Sequence, residues 1–238
     1  MSVETKEGQY YYGDVYELGA SHPLSSISQR AYSGLSLEGE GWILDIGGGS
    51  GRFPLQAPRP RSARFLVIDI NKAVIDQCRA AILQDGRMDE AVVGDITKLA
   101  SLPAVQNREF RGAVSWRVIH ALTRDQQLQV LDQVRRILPE RVPFFLAVAS
   151  DTDWKAAELK AQGIYTQDGP NNCAGIMGLT EPFQVDFFNP DKLEKLVARA
   201  GFKVEGIEGF QEPTGYDKLR ETHPLNDYLF CYSLTPTR

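Results

Sequence analysis

Residues 42–51 read Trp-Ile-Leu-Asp-Ile-Gly-Gly-Gly-Ser-Gly. An apolar run reaches an acid at Asp45 and opens into Gly47, Gly48, Gly49 and Gly51. A strand that stops on glycine must turn sharply, and glycine, lacking a Cβ, tolerates positive φ and lets a ligand approach bare backbone. The amides of such a turn, and of a helix beginning behind it, carry partial positive charge. A turn with no ligand gains little from this composition, because glycine packs weakly and costs backbone entropy. The stretch therefore predicts a strand, a ligand-binding turn and a helix, the first unit of a mainly parallel α/β sheet.

Two ligand classes use a turn of this kind. The dinucleotide fingerprint Gly-x-Gly-x-x-Gly needs its third glycine for close packing of helix on strand. Counted from Gly47 that position is Arg52, and counted from Gly48 the positions fall on Ser50 and Phe53. The run Ile43-Leu44-Asp45-Ile46-Gly47-Gly48-Gly49-Ser50-Gly51 instead resembles the first motif of class I S-adenosylmethionine-dependent methyltransferases. In that family the loop wraps the amino-acid end of the cofactor. The resemblance assigns Gly47, Gly48, Gly49 and Gly51 to the wrap, and gives Asp45 the task of holding the cofactor ammonium, usually through water.

Three later segments extend the resemblance over about residues 40–150. Arg64-Phe-Leu-Val-Ile-Asp69 is a second apolar run ending in an acid. A carboxylate there suits the vicinal hydroxyls of a ribose, and the resemblance gives Asp69 that role with Ile70 beside it. Ala91-Val92-Val93-Gly94-Asp95-Ile96 reads as a third strand followed by the pair that, in the family, accepts from the adenine amine (Asp95) and packs on the ring (Ile96). Gly112-Ala-Val-Ser-Trp116 reads as a fourth strand, and Arg117-Val118-Ile119-His120 falls where the family carries its motif after strand four. The resemblance places Trp116 and Arg117 at the cofactor.

Composition narrows the function. The 238 residues are enough for a full core, and α/β domains of this size often stay single. A formal net charge of −5 and a pI near 5.3 weigh against a nucleic-acid substrate, which calls for a basic patch. Arg52, Arg59, Arg61 and Arg64 crowd one segment, but Pro54, Pro58 and Pro60 mark it as a short helix and a solvated loop. No apolar run approaches 20 residues and no basic-then-apolar leader is present, so neither a membrane span nor a secretory signal is expected, and the cytoplasm is the simplest location. Cys78, Cys173 and Cys231 are far apart and odd in number, which argues for reduced thiols and against a disulfide framework or a zinc site.

Along the chain, strands are expected at 42–46, 64–69, 90–94, 112–116 and 142–149. Helices are expected at 71–84, with Asn71 as cap, and at 123–138, with Thr123 as cap and Pro139 after the end. Leu128, Leu131, Val134, Ile137 and Leu138 recur at helical spacing and mark a core stripe. Asn189-Pro190-Asp191 begins another helix, which Gly201 stops, and residues 202–210 and 227–234 read as two last strands that pair antiparallel. The division is an N-terminal arm with a cap helix near 25–34 (1–40), a cofactor-binding α/β core (41–150), a substrate-lid insertion (151–188) and a C-terminal helix and strands (189–238). Ligands of open α/β sheets lie outside the carboxyl ends of the strands, where added elements become lids and pocket walls. The aromatics of the two added stretches, Tyr10, Tyr11, Tyr12 and Tyr16 in the arm and Trp154, Tyr165, Phe183, Phe187 and Phe188 in the insertion, are either packing or pocket wall.

Methyl transfer from a sulfonium needs alignment first, and a base only where the nucleophile must lose a proton. His120 is the candidate base, because histidine titrates near neutrality, against the reading of a histidine that braces a loop. His22 and His223, each before a proline, read as loop residues. Arg30 is the candidate for the cofactor carboxylate, a bidentate task suited to arginine. The expectation is a methyltransferase using S-adenosylmethionine on the O, N or C atom of a small-molecule acceptor, with no metal and with a homodimer left open. Two alternatives stand beside it: a binding protein of the same fold that has lost transfer, and a nicotinamide oxidoreductase, which Arg52 disfavours.

Overall fold

The computed structural model describes residues 26–35, 40–56, 63–177, 183–213, 222, 223 and 225–236. Tyr10, Tyr11, Tyr12, Tyr16, His22, Pro58, Arg59, Pro60 and Arg61 lie outside these. In chain order the elements are α1 (Ser26–Gly34), β1 (Trp42–Ile46), α2 (Arg52–Gln56), β2 (Arg64–Asp69), α3 (Lys72–Gln84), β3 (Glu90–Val93), β4 (Phe110–Trp116), α4 (Arg124–Ile137) and β5 (Phe144–Ala149). There follow α5 (Trp154–Ala161), β6 (Asn171–Asn172), α6 (Ala174–Met177), β7 (Gln184–Val185), α7 (Pro190–Arg199), β8 (Phe202–Lys203), β9 (Gly206–Pro213) and β10 (Leu225–Pro236).

The main sheet runs β3-β2-β1-β4-β5-β10, with β8 and β9 both pairing on β10. The first five strands are parallel and β10 is antiparallel to β5. The chain winds outward from β1 to β3, returns to β4 beside β1 and winds the other way. The strand order thus reverses between β1 and β4, and this switch point is where an open α/β sheet leaves a crevice at its carboxyl edge.

Local chemistry explains the helix starts. Asn71 accepts from the amides of Ala73 and Val74 at the head of α3. Thr123 and Gln126 form a reciprocal capping box on α4, and Asn189 accepts from Lys192 N ahead of Pro190 on α7. One face of the sheet packs on α4 and α7 through Leu44, Ile46, Leu131, Val134 and Leu193; the other packs on α1, α2 and α3 through Ile43, Phe65, Ile75 and Phe145. On α4 the buried positions are Gln127, Val130, Leu131 and Val134, so the stripe is rotated from the expected one: Leu128 and Ile137 only pack against its edge. The strand expected over 202–210 is divided. β8 and β9 follow one register on β10, interrupted at Val204 and Glu205, and β9 continues past 210 to Pro213.

Residues 151–177 and 183–188 build a third apolar cluster, with Ala156, Leu159, Met177, Val185 and Phe187 around Tyr228 of β10. It is fastened at both ends. Ser150 N donates to Asp227 O, and the fully buried Asp186 carboxylate accepts from Lys192 Nζ at 2.6 Å and from Gln127 Nε2 at 2.9 Å.

Candidate functional site

The turn after β1 explains its glycines atom by atom. Gly47 has φ +67 and donates to Ile68 O at 2.7 Å, and a Cβ there would lie 2.4 Å from Val118 Cγ2. A Cβ on Gly48 would lie 2.4 Å from Asp45 Oδ2, so the acid beneath the loop is what requires this glycine. The Asp45 carboxyl is fully buried, and neither oxygen has a hydrogen-bond partner. Burial first, and the charge of Asp69 second, push its pKa up to about 8. Ser50 Oγ is likewise buried and unpartnered.

Asp69 ends β2 beside this loop. Its Oδ2 accepts from Gly49 N at 3.1 Å and its Oδ1 from Asn71 N at 2.8 Å. Burial raises its pKa, and these backbone donors hold the rise back. Gly94 N donates to Asp69 O at 2.9 Å, which ties the exit of β3 to the exit of β2. Ile70 projects beside it with 42% of its surface exposed. Asp95 caps the 3₁₀ turn Ile96–Ser101, its Oδ1 accepting from Thr97 N and Thr97 Oγ1. Ile96 is buried in the core on the α4 side. Asp45, the glycines, Asp69, Ile70 and Asp95 therefore share the carboxyl ends of β1, β2 and β3.

Residues at the ends of β4, β5, β9 and β10 form a second group. Arg117 takes φ +64, an uncommon conformation for a side-chain-bearing residue, and its amide donates to Ala147 O at 3.0 Å. Its Nη1 lies 2.9 Å from Glu212 Oε2, and its guanidinium stands 5.3 Å from the Tyr228 ring centre. Glu212 is buried on β9 and also takes Arg52 Nη1 at 3.5 Å and the Ser28 hydroxyl at 3.2 Å. Lys155, buried at the head of α5, reaches Asp153 Oδ1 and Asn226 Oδ1, both at 2.7 Å. Glu212, Lys155 and Asp153 escaped the sequence reading. The expected strand stopped two residues short of Glu212, and the one pointer to it was that Arg52 and Arg117 each follow a strand exit and need a counter-charge.

Three expected site residues have settings unlike those their roles imply. Trp116 enters an aromatic cluster with Phe53, Phe210 and Phe230 at centroid distances of 5.5, 5.3 and 5.6 Å. Arg30 pairs with Glu208 at 2.6 Å, four residues short of Glu212 along β9. His120 is buried in the turn Ile119–Ala121, and its Nδ1 accepts from Ala149 N at 3.3 Å. That bond leaves the ring proton on Nε2, a donor. Burial, then Arg117 and Lys155, push the His120 pKa down to about 3. Its one basic nitrogen is taken by a backbone amide and is only weakly basic, and both count against a proton acceptor.

Among the described residues, no group of three or more His, Cys, Asp or Glu is placed to hold a metal ion, and no helix is long and apolar enough to cross a membrane. Cys78, Cys173 and Cys231 are buried and free.

Residues 43–141 match the family described as a methyltransferase domain. That match spans the segment from β1 to just past α4, the part of the chain that holds the glycine turn. No curated protein matches in sequence. Solved structures share the methyltransferase fold at low identity. A SAM-dependent methyltransferase from Methanosarcina mazei is similar at 19% identity and TM-score 0.66, covering 90% of this chain and 100% of its own. The protein that converts a disulfide bond into a thioacetal during echinomycin biosynthesis is similar at 16% identity and TM-score 0.61, covering 93% and 84%. The cyclopropane synthase MmaA2 from Mycobacterium tuberculosis is similar at 13% identity and TM-score 0.58, covering 86% and 82%.

The cofactor that this likeness implies is S-adenosylmethionine. The residues of this chain fit that group on chemical grounds. A buried carboxyl with both oxygens unpartnered lies under the glycine turn, where an ammonium would satisfy it. Asp69 keeps acceptor capacity beyond its backbone donors, as hydroxyl recognition needs.

Proposed function

We propose that this methyltransferase acts on a small-molecule acceptor, a natural product or other metabolite, at an O, N or C atom. The observation that carries the reading is the insertion 151–188, which packs its own apolar cluster against Tyr228 and the exit of β5 and so walls the acceptor side from within the chain. Asp45 and the glycine turn would hold the amino-acid end of the cofactor, Asp69 with Ile70 beside it the ribose, and Asp95 with Ile96 the adenine. The bound cofactor supplies a methyl group already activated on a positive sulfur.

The remaining contribution of the protein is alignment, which can supply up to ~7–11 kcal/mol of such a barrier. His120 serves here as a brace, holding the turn after β4 to β5, rather than as the base. Arg30 remains a candidate for a carboxylate only if its pair with Glu208 opens. An acidic chain with an enclosing insertion gives no support to a nucleic-acid partner, and the cytoplasm remains the simplest location.

The test has two parts. Calorimetry with S-adenosylhomocysteine and with NAD should give binding by the first alone. Conversion of methyl-labelled S-adenosylmethionine, screened against phenols, amines, hydroxy acids and carbon acids, should then give one labelled small product. Tight binding of NAD would reject the cofactor assignment. Cofactor binding with no transfer to any acceptor class would favour the binding-protein alternative.

A further inference from the structure

At the ends of β4, β5, β9 and β10 the charges answer one another. Arg52 and Arg117 meet Glu212, Lys155 meets Asp153 at 2.7 Å, and Asp151 and Asp227 stand beside them. Two neutral groups there are different. The Tyr228 hydroxyl and the Nε2 hydrogen of His120 have no hydrogen-bond partner among the described residues, although each residue keeps only 8% of its surface exposed. One residue sets them side by side: Ala149 donates to His120 Nδ1 and is in register with Tyr228, and the ring centres lie 6.3 Å apart. Burial pushes the Tyr228 phenol up to about 12, so it keeps its hydrogen and remains a donor. Buried tyrosine and histidine ordinarily spend such hydrogens on a partner, and a donor left unsatisfied costs ~1–3 kcal/mol.

We infer that the acceptor is an uncharged, carbonyl-bearing molecule, such as a ketone, an ester or a quinone, and that Tyr228, with His120 beside it, holds the carbonyl oxygen. The inference rests on the methyltransferase reading of the site and adds the substrate class. A carbonyl oxygen offers two lone pairs and brings no hydrogen, so it takes both donors and leaves nothing of its own to satisfy. The other groups fit less well. A hydroxyl brings a hydrogen that needs an acceptor, and an ammonium has no lone pair to offer. A carboxylate would enter beside Asp151, Asp153, Glu212 and Asp227, whose charge already answers the cations present. The wall around Tyr228 is apolar, with Ala149, Met177 and Phe187, which suits the body of such a molecule. Tyr228 is the residue to test, because its hydroxyl holds no other part of the described structure, whereas His120 also braces its turn.

The full-length protein is first loaded with S-adenosylhomocysteine, and binding is confirmed by calorimetry; failure at this step would count against the methyltransferase reading and not against the carbonyl preference. The loaded protein is then titrated with acetophenone, with α-methylstyrene, which has the same skeleton with a methylene in place of the oxygen, and with benzoate. Acetophenone should bind saturably and about tenfold more tightly than either, as two neutral hydrogen bonds imply, and its carbonyl stretch should move to lower frequency on binding. Tyr228→Phe removes one donor and spares the packing. Acetophenone should then lose about threefold or more of its advantage and part of its frequency shift, while the melting temperature and the affinity for S-adenosylhomocysteine stay at the parent values. Equal binding of α-methylstyrene or benzoate, absence of saturable acetophenone binding, or an advantage and a frequency shift untouched by Tyr228→Phe would overturn the inference. So would a Tyr228→Phe protein that melts several degrees lower, which would give the hydroxyl a partner inside the protein. A tenfold loss of cofactor affinity in that variant would overturn it too, by giving the hydroxyl to the cofactor.

Discussion

On the β1–β3 side of the crevice, polar groups answer to neighbours close in sequence. Asn71 and Thr97 each donate to a carboxylate two residues away, and the longest reach is from Gly94 N to Asp69 O, in the neighbouring strand exit. On the β4–β10 side the reaches are long: 71 residues from Lys155 to Asn226, 95 from Arg117 to Glu212 and 184 from Ser28 to Glu212. The difference separates two kinds of dependence. The first side is a set of turns, each of which forms with its own strand end. The second exists only once β9, β10, α1 and the insertion have all docked, because loop closure must come before any of its contacts. Damage to the first side should therefore remove a ligand and spare the fold, whereas damage to the second should register in stability before it registers in cofactor affinity.

The largest expected effect comes from filling the glycine turn. Gly48→Val would drive a side chain into the Asp45 carboxyl, costing ~1–3 kcal/mol of stability, and should lower S-adenosylhomocysteine affinity by ~100-fold or more. Calorimetry on the variant showing ordinary affinity would sink the loop assignment. Asp69→Ala comes next. Charge-assisted bonds to two hydroxyls are worth ~1.5–3 kcal/mol each, so affinity should fall at least ~tenfold while circular dichroism shows the apo fold intact. An unchanged binding constant would take Asp69 out of the site.

A third expectation sets the two sides against each other through pH. Asp45, raised from 3.8 to about 8, keeps its proton when folded and loses it when unfolded, so it lowers stability progressively as pH rises between those values. His120, lowered from 6.5 to about 3, is neutral when folded and charged when unfolded below 6.5, so it raises stability as pH rises through that window. The two slopes oppose each other from about pH 4 to 6.5, and above that Asp45 acts alone. Stability of the ligand-free protein should then fall by up to ~1.4 kcal/mol per pH unit from 6.5 to 8. Denaturant titrations of Asp45→Asn should show that fall abolished, and a slope that persists in the variant would mean another group is responsible. The smallest effect is expected of His120→Gln, which exchanges one buried acceptor for another: ~1 kcal/mol of stability, with cofactor affinity near normal. If turnover on an identified acceptor dropped ~100-fold or more while stability held, His120 would be the base after all.

The same contrast of ranges governs what could be read from the chain. Asn71, Thr123 and Asn189 announce their helices because a cap and its amides are three residues apart or fewer, and Asp45 with Gly47 to Gly51 announces a turn because the clash that forbids a side chain is local. Strand alternation puts Val114 and Trp116 on one face of β4, yet nothing within β4 says that this face meets Phe210 and Phe230, and so Trp116 was expected at the cofactor. The cations that meet Glu212, Arg52 and Arg117, come from far off in the sequence. His120 was read as a base because its residue type suits the task, whereas the bond that occupies its Nδ1 comes from Ala149, a strand away. The folding class follows from periodicity and turns; the environment of a titratable group follows from the whole tertiary structure.

Two of the three tryptophans stand on the β4–β10 side in unlike settings, which gives the molecule a pair of optical reporters. Trp116 lies among phenylalanine rings with its indole nitrogen unpartnered, a dry setting that favours short-wavelength emission. Trp154 stacks on His223 at 3.9 Å and donates its indole hydrogen to Asn226, within the network that holds Lys155. Its emission is exposed to quenching by that imidazole, and any guest that disturbs the network should change the yield. Occupancy of the β4–β10 side can accordingly be followed by intrinsic fluorescence, in unlabelled protein and before any reaction has been found.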